Sequence, residues 1–128
     1  MSSDCLPLAL PQGLERQRLD GWRSRRVPLG EGEEQGFQRF RAPIGEWAAA
    51  DKLTVRGRPG DSAIWYRTDF AHPGWVDRTL LRFDGAFTAA NVWLNGRLLG
   101  SHFGFPGHFG FDISSFLEAR NVLAVCVE

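Results

Sequence analysis

The sequence predicts an all-β fold, an antiparallel β-sandwich, and three observations carry that prediction. Residues Ile64 to Phe70 and Thr79 to Asp84 alternate between apolar and polar side chains with a period of two. Asn95-Gly96 stands between two apolar runs, the pairing that a tight type I′ hairpin turn demands because both central residues take positive φ. The 15 Gly and 7 Pro are scattered rather than clustered, and they divide the chain into short segments with no alternating helical pattern between them.

Taken in order, residues 1–19 carry Pro7 and Pro11 without a clear period, and they read as an extended N-terminal arm ahead of a β-sandwich domain at 20–128. Residues 28–36, Pro-Leu-Gly-Glu-Gly-Glu-Glu-Gln-Gly, read as an acidic loop with nothing to bury. Residues 41–61 hold Trp47, an Ala48-Ala49-Ala50 segment, Val55 and a turn at Gly57 to Gly60. The strand 64–70 puts Ile64, Tyr66, Thr68 and Phe70 on one face and Trp65, Arg67 and Asp69 on the other, and His72-Pro73-Gly74 ends it. Asn91 to Leu94 and Arg97 to Leu99 flank the Asn-Gly turn. An aromatic, glycine-rich loop follows at 101–110, then Phe111-Asp112-Ile113, a capping-box pattern in Ser115 and Glu118, and a buried strand over 121–127. The expected core is Leu81, Phe83, Val92, Leu94, Phe111, Leu123 and Val125.

Composition narrows the function. A chain of 128 residues suits one domain, and 43% hydrophobic residues suffice for a packed core. Fifteen basic and fifteen acidic residues cancel, which argues against a nucleic-acid binder or a polybasic membrane module. No apolar run approaches the roughly 20 residues of a spanning helix, and the N-terminus shows no secretory pattern, which favours the cytoplasm. Cys5 and Cys126 stand at opposite ends and read as free thiols, with Cys126 buried and inert. His72, His102 and His108 lack an accompanying carboxylate cluster, and Asp77 and Asp84 are isolated, so no metal and no cofactor is expected.

Several segments resemble the N-terminal sugar-binding domain of glycoside hydrolase family 2, the family of β-galactosidases, β-glucuronidases and β-mannosidases. Trp65-Tyr66-Arg67 followed by Phe70 is similar to its W-Y-R-x-x-F strand, and Leu81 to Gly85 to its L-x-F-x-G. Asn91 to Gly96, with Leu99-Gly100-Ser101-His102, is similar to its V-W-x-N-G-x-x-x-G-x-H hairpin. Gly104, Phe109, Phe111 and Asp112 continue the likeness, and Asn121 to Val125 is similar to its closing strand. Leu19 to Trp22 and Pro43 to Trp47 carry it more weakly into the first half. The chain departs from the pattern at Glu118-Ala119-Arg120, where the family has a glycine, and at Phe105-Pro106, where it has Gly-Tyr.

The resemblance implies a jelly-roll, galactose-binding-like sandwich that is non-catalytic by itself. It implies packing on a catalytic (β/α)₈ barrel elsewhere in a parent β-glycosidase, and one further sandwich strand beyond Glu128. Its partners are then carbohydrate through the parent enzyme and the parent's other domains, with self-association of the isolated domain as a consequence of an open sheet edge. The loop ahead of the Trp65 strand is the expected lining of the sugar site, with Arg58 and Asp61 as contacts, joined by His102 and Phe105 from the hairpin and its loop. Trp65 and Trp93 are the expected apolar side chains of a docking face. Two other readings stand beside this one: a free-standing carbohydrate-binding module, and a purely structural interaction domain.

Overall fold

The computed structural model describes residues 2–8, 17–42, 45, 47–50, 62–74, 78–84, 89–103 and 109–128. In chain order the strands are β1 (Ser2–Leu8), β2 (Gln17–Arg18), β3 (Trp22–Pro28), β4 (Ala48–Ala50), β5 (Ser62–Ala71), β6 (Arg78–Asp84), β7 (Ala89–Leu94), β8 (Arg97–Phe103), β9 (Phe109–Asp112) and β10 (Arg120–Val127). A one-turn helix α1 (Glu31–Glu34) and a 3₁₀ turn (Ser114–Phe116) complete the described elements. The strands form a four-stranded sheet, β2-β1-β6-β9, and a six-stranded sheet, β4-β3-β5-β10-β7-β8. Every described pairing is antiparallel, as the sequence predicts.

The period-two alternation fixes which face each strand turns inward. Tyr66 and Phe70 of β5, Leu81 and Phe83 of β6, Val92 and Leu94 of β7, and Leu123 and Val125 of β10 meet between the sheets, joined by Trp22 and Ile113. Six of the seven expected core residues are buried there. The seventh, Phe111, is only half-buried, because β9 is the edge of its sheet and its inward face is closed on one side alone.

Asn95 (φ 54°) and Gly96 (φ 85°) form the two-residue tip between β7 and β8, as expected of a type I′ turn. The Asn95 side chain does more than supply the turn. Its Oδ1 accepts the Val122 N–H at 2.7 Å, while its Nδ2 donates to Oδ1 of the fully buried Asn121 at 3.0 Å. Asn121 Oδ1 also accepts the Glu118 N–H at 2.8 Å. The hairpin tip is thereby tied to the strand that closes the sheet.

Three expectations are corrected. Residues 28–36 are not a loop with nothing to bury: they contain α1, with Gly32 buried, and run directly into Phe37, which has no exposed surface. That segment lies on the outer face of the six-stranded sheet, so Trp65 and Trp93 are not an exposed docking face; they are 1% and 8% exposed. The two indoles stack at 5.0 Å, and Phe37 packs edge-on to Trp65 at 5.8 Å and to Trp47 at 4.9 Å, which makes a second core with Val27, Ala63, Ala124 and Cys126. Ser115 and Glu118 do not form a capping box. Asp112 Oδ1 instead accepts from the Ser114 N–H (3.0 Å) and hydroxyl (2.6 Å), while the Glu118 N–H goes to Asn121.

Candidate functional site

Of the four residues that the sequence nominates for sugar contact, Arg58, Asp61 and Phe105 lie outside the described residues, and His102 is placed. His102 sits on β8 opposite Ala90 of β7, a core residue, so its side chain turns into the sandwich at the end where β8 leads towards β9. Its ring stacks on Phe109 at 4.1 Å with 6° between the planes. Phe109 in turn stacks on Phe83 at 5.0 Å and meets Phe111 edge-on at 6.0 Å. This aromatic column joins the two sheets. It also occupies one face of the His102 ring, so that face is not open to a pyranose.

Beside the column, a groove of about 440 Å³ runs over β6 and β9, lined by Arg78, Leu80, Arg82, Phe109, Phe111 and Asp112, among others. The strand alternation places Arg78, Leu80 and Arg82 together on the outer side of β6. Gly110 stands opposite Arg82 in register, and a Cβ there would come within 2.7 Å of the Leu81 carbonyl oxygen, so the close approach of β9 to β6 needs glycine at this point. Asp112 is held below the usual carboxylate range, first by the Ser114 hydroxyl and backbone N–H and then by Arg78, whose guanidinium lies 3.4 Å away. At neutral pH it is an ionised acceptor, not a proton donor. Among the described residues no group of three His, Cys, Asp or Glu is gathered for a metal ion.

Sequence reasoning missed Arg67. Its alternation with Trp65 and Asp69 puts it on the face opposite the interlayer core with no role of its own, yet it is 4% exposed. Its Nη1 donates to the carbonyls of Phe37 (2.7 Å) and Arg39 (2.6 Å), and its Nη2 to that of Phe40 (3.1 Å). One guanidinium therefore satisfies three carbonyls of the covering segment and fixes it on the sheet. The signal that could have found it is the pair Phe37 and Trp47, two large apolar residues in stretches otherwise rich in polar and turn residues, which required a surface to cover.

A family model described as the galactose-binding domain of β-galactosidase matches residues 63–121, from the start of β5 into β10. A β-glucuronidase of Canis lupus familiaris is 30% identical over 125 residues, covering 82% of this chain and 19% of that protein. The structure of a Bifidobacterium dentium β-glucuronidase complexed with coumarin-3-O-glucuronide superposes with a TM-score of 0.62 at 32% identity, covering 99% of this chain and 20% of that one. A Ruminococcus gnavus β-glucuronidase superposes with a TM-score of 0.68 at 28% identity, covering 88% of this chain and 20% of that one. The chain thus spans about a fifth of the length of each of these relatives.

Proposed function

The chain belongs to the galactose-binding-like domains of the family 2 glycoside hydrolases, and from that premise we propose that it is a non-catalytic accessory module of a larger β-glycosidase. In this reading it packs on a catalytic barrel and lends loops to the mouth of the sugar site. The observation that carries the reading is the match itself: this sandwich corresponds to about a fifth of β-glucuronidases that resemble it along nearly the whole of its own length. Size supports the non-catalytic role. A (β/α)₈ barrel takes about 250 residues, and this chain has 128. A retaining glycosidase needs two carboxyl groups about 5–5.5 Å apart, one of them a proton donor. Asp112 and Asp69 are instead each ion-paired to an arginine, Arg78 at 3.4 Å and Arg120 at 3.3 Å. Arg58, Asp61 and Phe105 are assigned to sugar-facing loops, while His102 stacks in the aromatic column.

The test is direct. The 128-residue protein is incubated with chromogenic β-glucuronide, β-galactoside and β-mannoside and titrated calorimetrically with the free monosaccharides. No turnover and no micromolar binding are expected. Turnover abolished by a substitution in this chain overturns the non-catalytic role, and micromolar affinity for one monosaccharide replaces it with a free-standing carbohydrate-binding module.

A further inference from the structure

The outer face of the six-stranded sheet carries a charge arrangement that the proposed role does not use. Arg23 of β3 stands directly opposite Arg67 of β5 in the register. Residues directly opposite on neighbouring antiparallel strands put their Cβ atoms about 4.5–5.5 Å apart, and like charges so placed are destabilising. Arg67 is buried, its three described hydrogen bonds go to neutral carbonyls, and its Nε has no partner among the described residues. Among the described residues no carboxylate forms an ion pair with it. Burial pulls its guanidinium below the ordinary value, with the charge of Asp69 acting in the opposite sense. A buried cation without a counter-ion is costly unless an anion joins it.

Space for that anion exists. A cleft of about 250 Å³ opens at this point, lined by Gly21, Arg23, Arg67, Thr68, Asp69 and Val122. The acid in it, Asp69, is exposed and pairs outward with Arg120 at 3.3 Å, so its charge is already offset. Arg23 is exposed and has the freedom to close over an incoming group. We propose that this cleft is a carboxylate-binding site in which the anionic group lies between Arg23 and Arg67. The exposed Arg23 guanidinium supplies the fork that suits a planar carboxylate, while Arg67, whose Nη groups already hold three carbonyls, contributes its charge from beneath; such charge-assisted hydrogen bonds are about twice as strong as neutral ones. The site stands independently of whether the chain serves a glycosidase.

The carboxylate has two possible sources, a free sugar acid or an acidic side chain of another polypeptide segment, and the experiment separates them. ¹H–¹⁵N spectra of the 128-residue protein, including the arginine Nε–H signals, are recorded with sodium acetate, sodium glucuronate or glucose at constant ionic strength. Both carboxylates are expected to shift the Thr68, Val122 and Arg23 signals saturably, with Kd of about 10 mM or tighter, and glucose is expected to leave them in place. Arg23→Gln is expected to weaken carboxylate binding by about fivefold or more without lowering Tm, since Arg23 is exposed. Glucuronate binding about fivefold tighter than acetate assigns the site to a sugar acid, and equal affinities assign it to the carboxylate group itself, as an acidic side chain would present it. Absence of saturable shifts with either carboxylate, equal shifts with glucose, or an unchanged affinity in Arg23→Gln overturns the proposal.

Discussion

Gly32→Ala sets two physical effects against each other, and the structure decides between them. In a helix interior, alanine in place of glycine gains up to about 1 kcal/mol. Gly32 lies inside α1, so propensity alone predicts a more stable protein. A Cβ at this position, however, would stand 2.1 Å from Trp65 Nε1, 2.5 Å from Cε2 and 2.8 Å from Cδ1. Trp65 has nowhere to retreat: Trp93 stacks on it at 5.0 Å and Phe37 meets it edge-on at 5.8 Å. Either the indole moves and loosens the outer core, or α1 lifts and strains the three carbonyl bonds that Arg67 makes to residues 37–40. Overpacking of this kind costs about 1–3 kcal/mol, and the depth of the overlap puts it at the upper end. With the propensity gain subtracted, the variant should lose about 2 kcal/mol, a fall in Tm of about 8 °C for a domain of this size. The assay is thermal and urea unfolding followed by circular dichroism, with tryptophan fluorescence reporting the indole pair. Glu34→Ala, exposed on the same turn, is the control and should stay within about 0.5 kcal/mol of the parent. A Gly32→Ala protein as stable as the parent, or more so, would refute the close packing of α1 on Trp65.

Two further outcomes are expected. Leu94→Ala removes a side chain that is 1% exposed in the interlayer core and should cost about 2–5 kcal/mol; unchanged urea unfolding would show that the phase of β7 is wrong. Burial pushes the Cys126 thiol up from 9.0 to about 12, with Glu128 and Glu33 adding to the shift. The folded protein therefore keeps this proton where the unfolded chain loses it, and stability should decline as pH rises from about 9 towards 12. Below pH 9 the thiol contributes no such slope, and a thiol reagent should label Cys126 only after denaturant is added; rapid labelling at Cys126 itself, located by peptide mapping of the Cys5→Ser protein at pH 8, would contradict the burial.

The interlayer fold was legible because its signals are local. A two-residue turn with positive φ at Asn95 and Gly96, and strict alternation in β5 and β6, fix both the register and the inward face before any tertiary contact is known. What was not legible is the outer face of the six-stranded sheet. Alternation says only that Trp65, Arg67 and Trp93 face away from the first core; it cannot say whether solvent, another domain or the same chain lies beyond. The covering segment has no period to betray it, since its single helical turn holds one buried glycine and its anchor is a guanidinium on a different strand. Motif spacing nominated His102, but its stacking on Phe109 depends on β8 and β9 meeting from different sheets, a relation no local pattern encodes.

This double coverage bears on how such a module meets its surroundings. A sheet with one bare apolar face docks by that face, and Trp65 with Trp93 would have been its centre. Here the chain itself buries both indoles, so docking cannot draw on them without displacing α1, Phe37 and Trp47, and the Arg67 bonds to three carbonyls oppose that displacement. Among the described residues the large hydrophobic side chains that remain exposed are Leu29, Phe40 and Leu98. Phe40 and Leu98 lie near one another: the turn residue Gly96 sits against the backbone of Arg39 and Phe40, and Leu98 follows it on β8. Among the described residues, Phe40 and Leu98 thus place exposed apolar surface at the β8 edge, at the foot of the Asn95 hairpin, rather than in the middle of the sheet. The same edge leads, through His102, to the aromatic column and the groove over β6 and β9. The exposed Leu98 and the His102 end of the aromatic column therefore share one short strand, whose position depends on the Asn95 side chain holding the hairpin to β10.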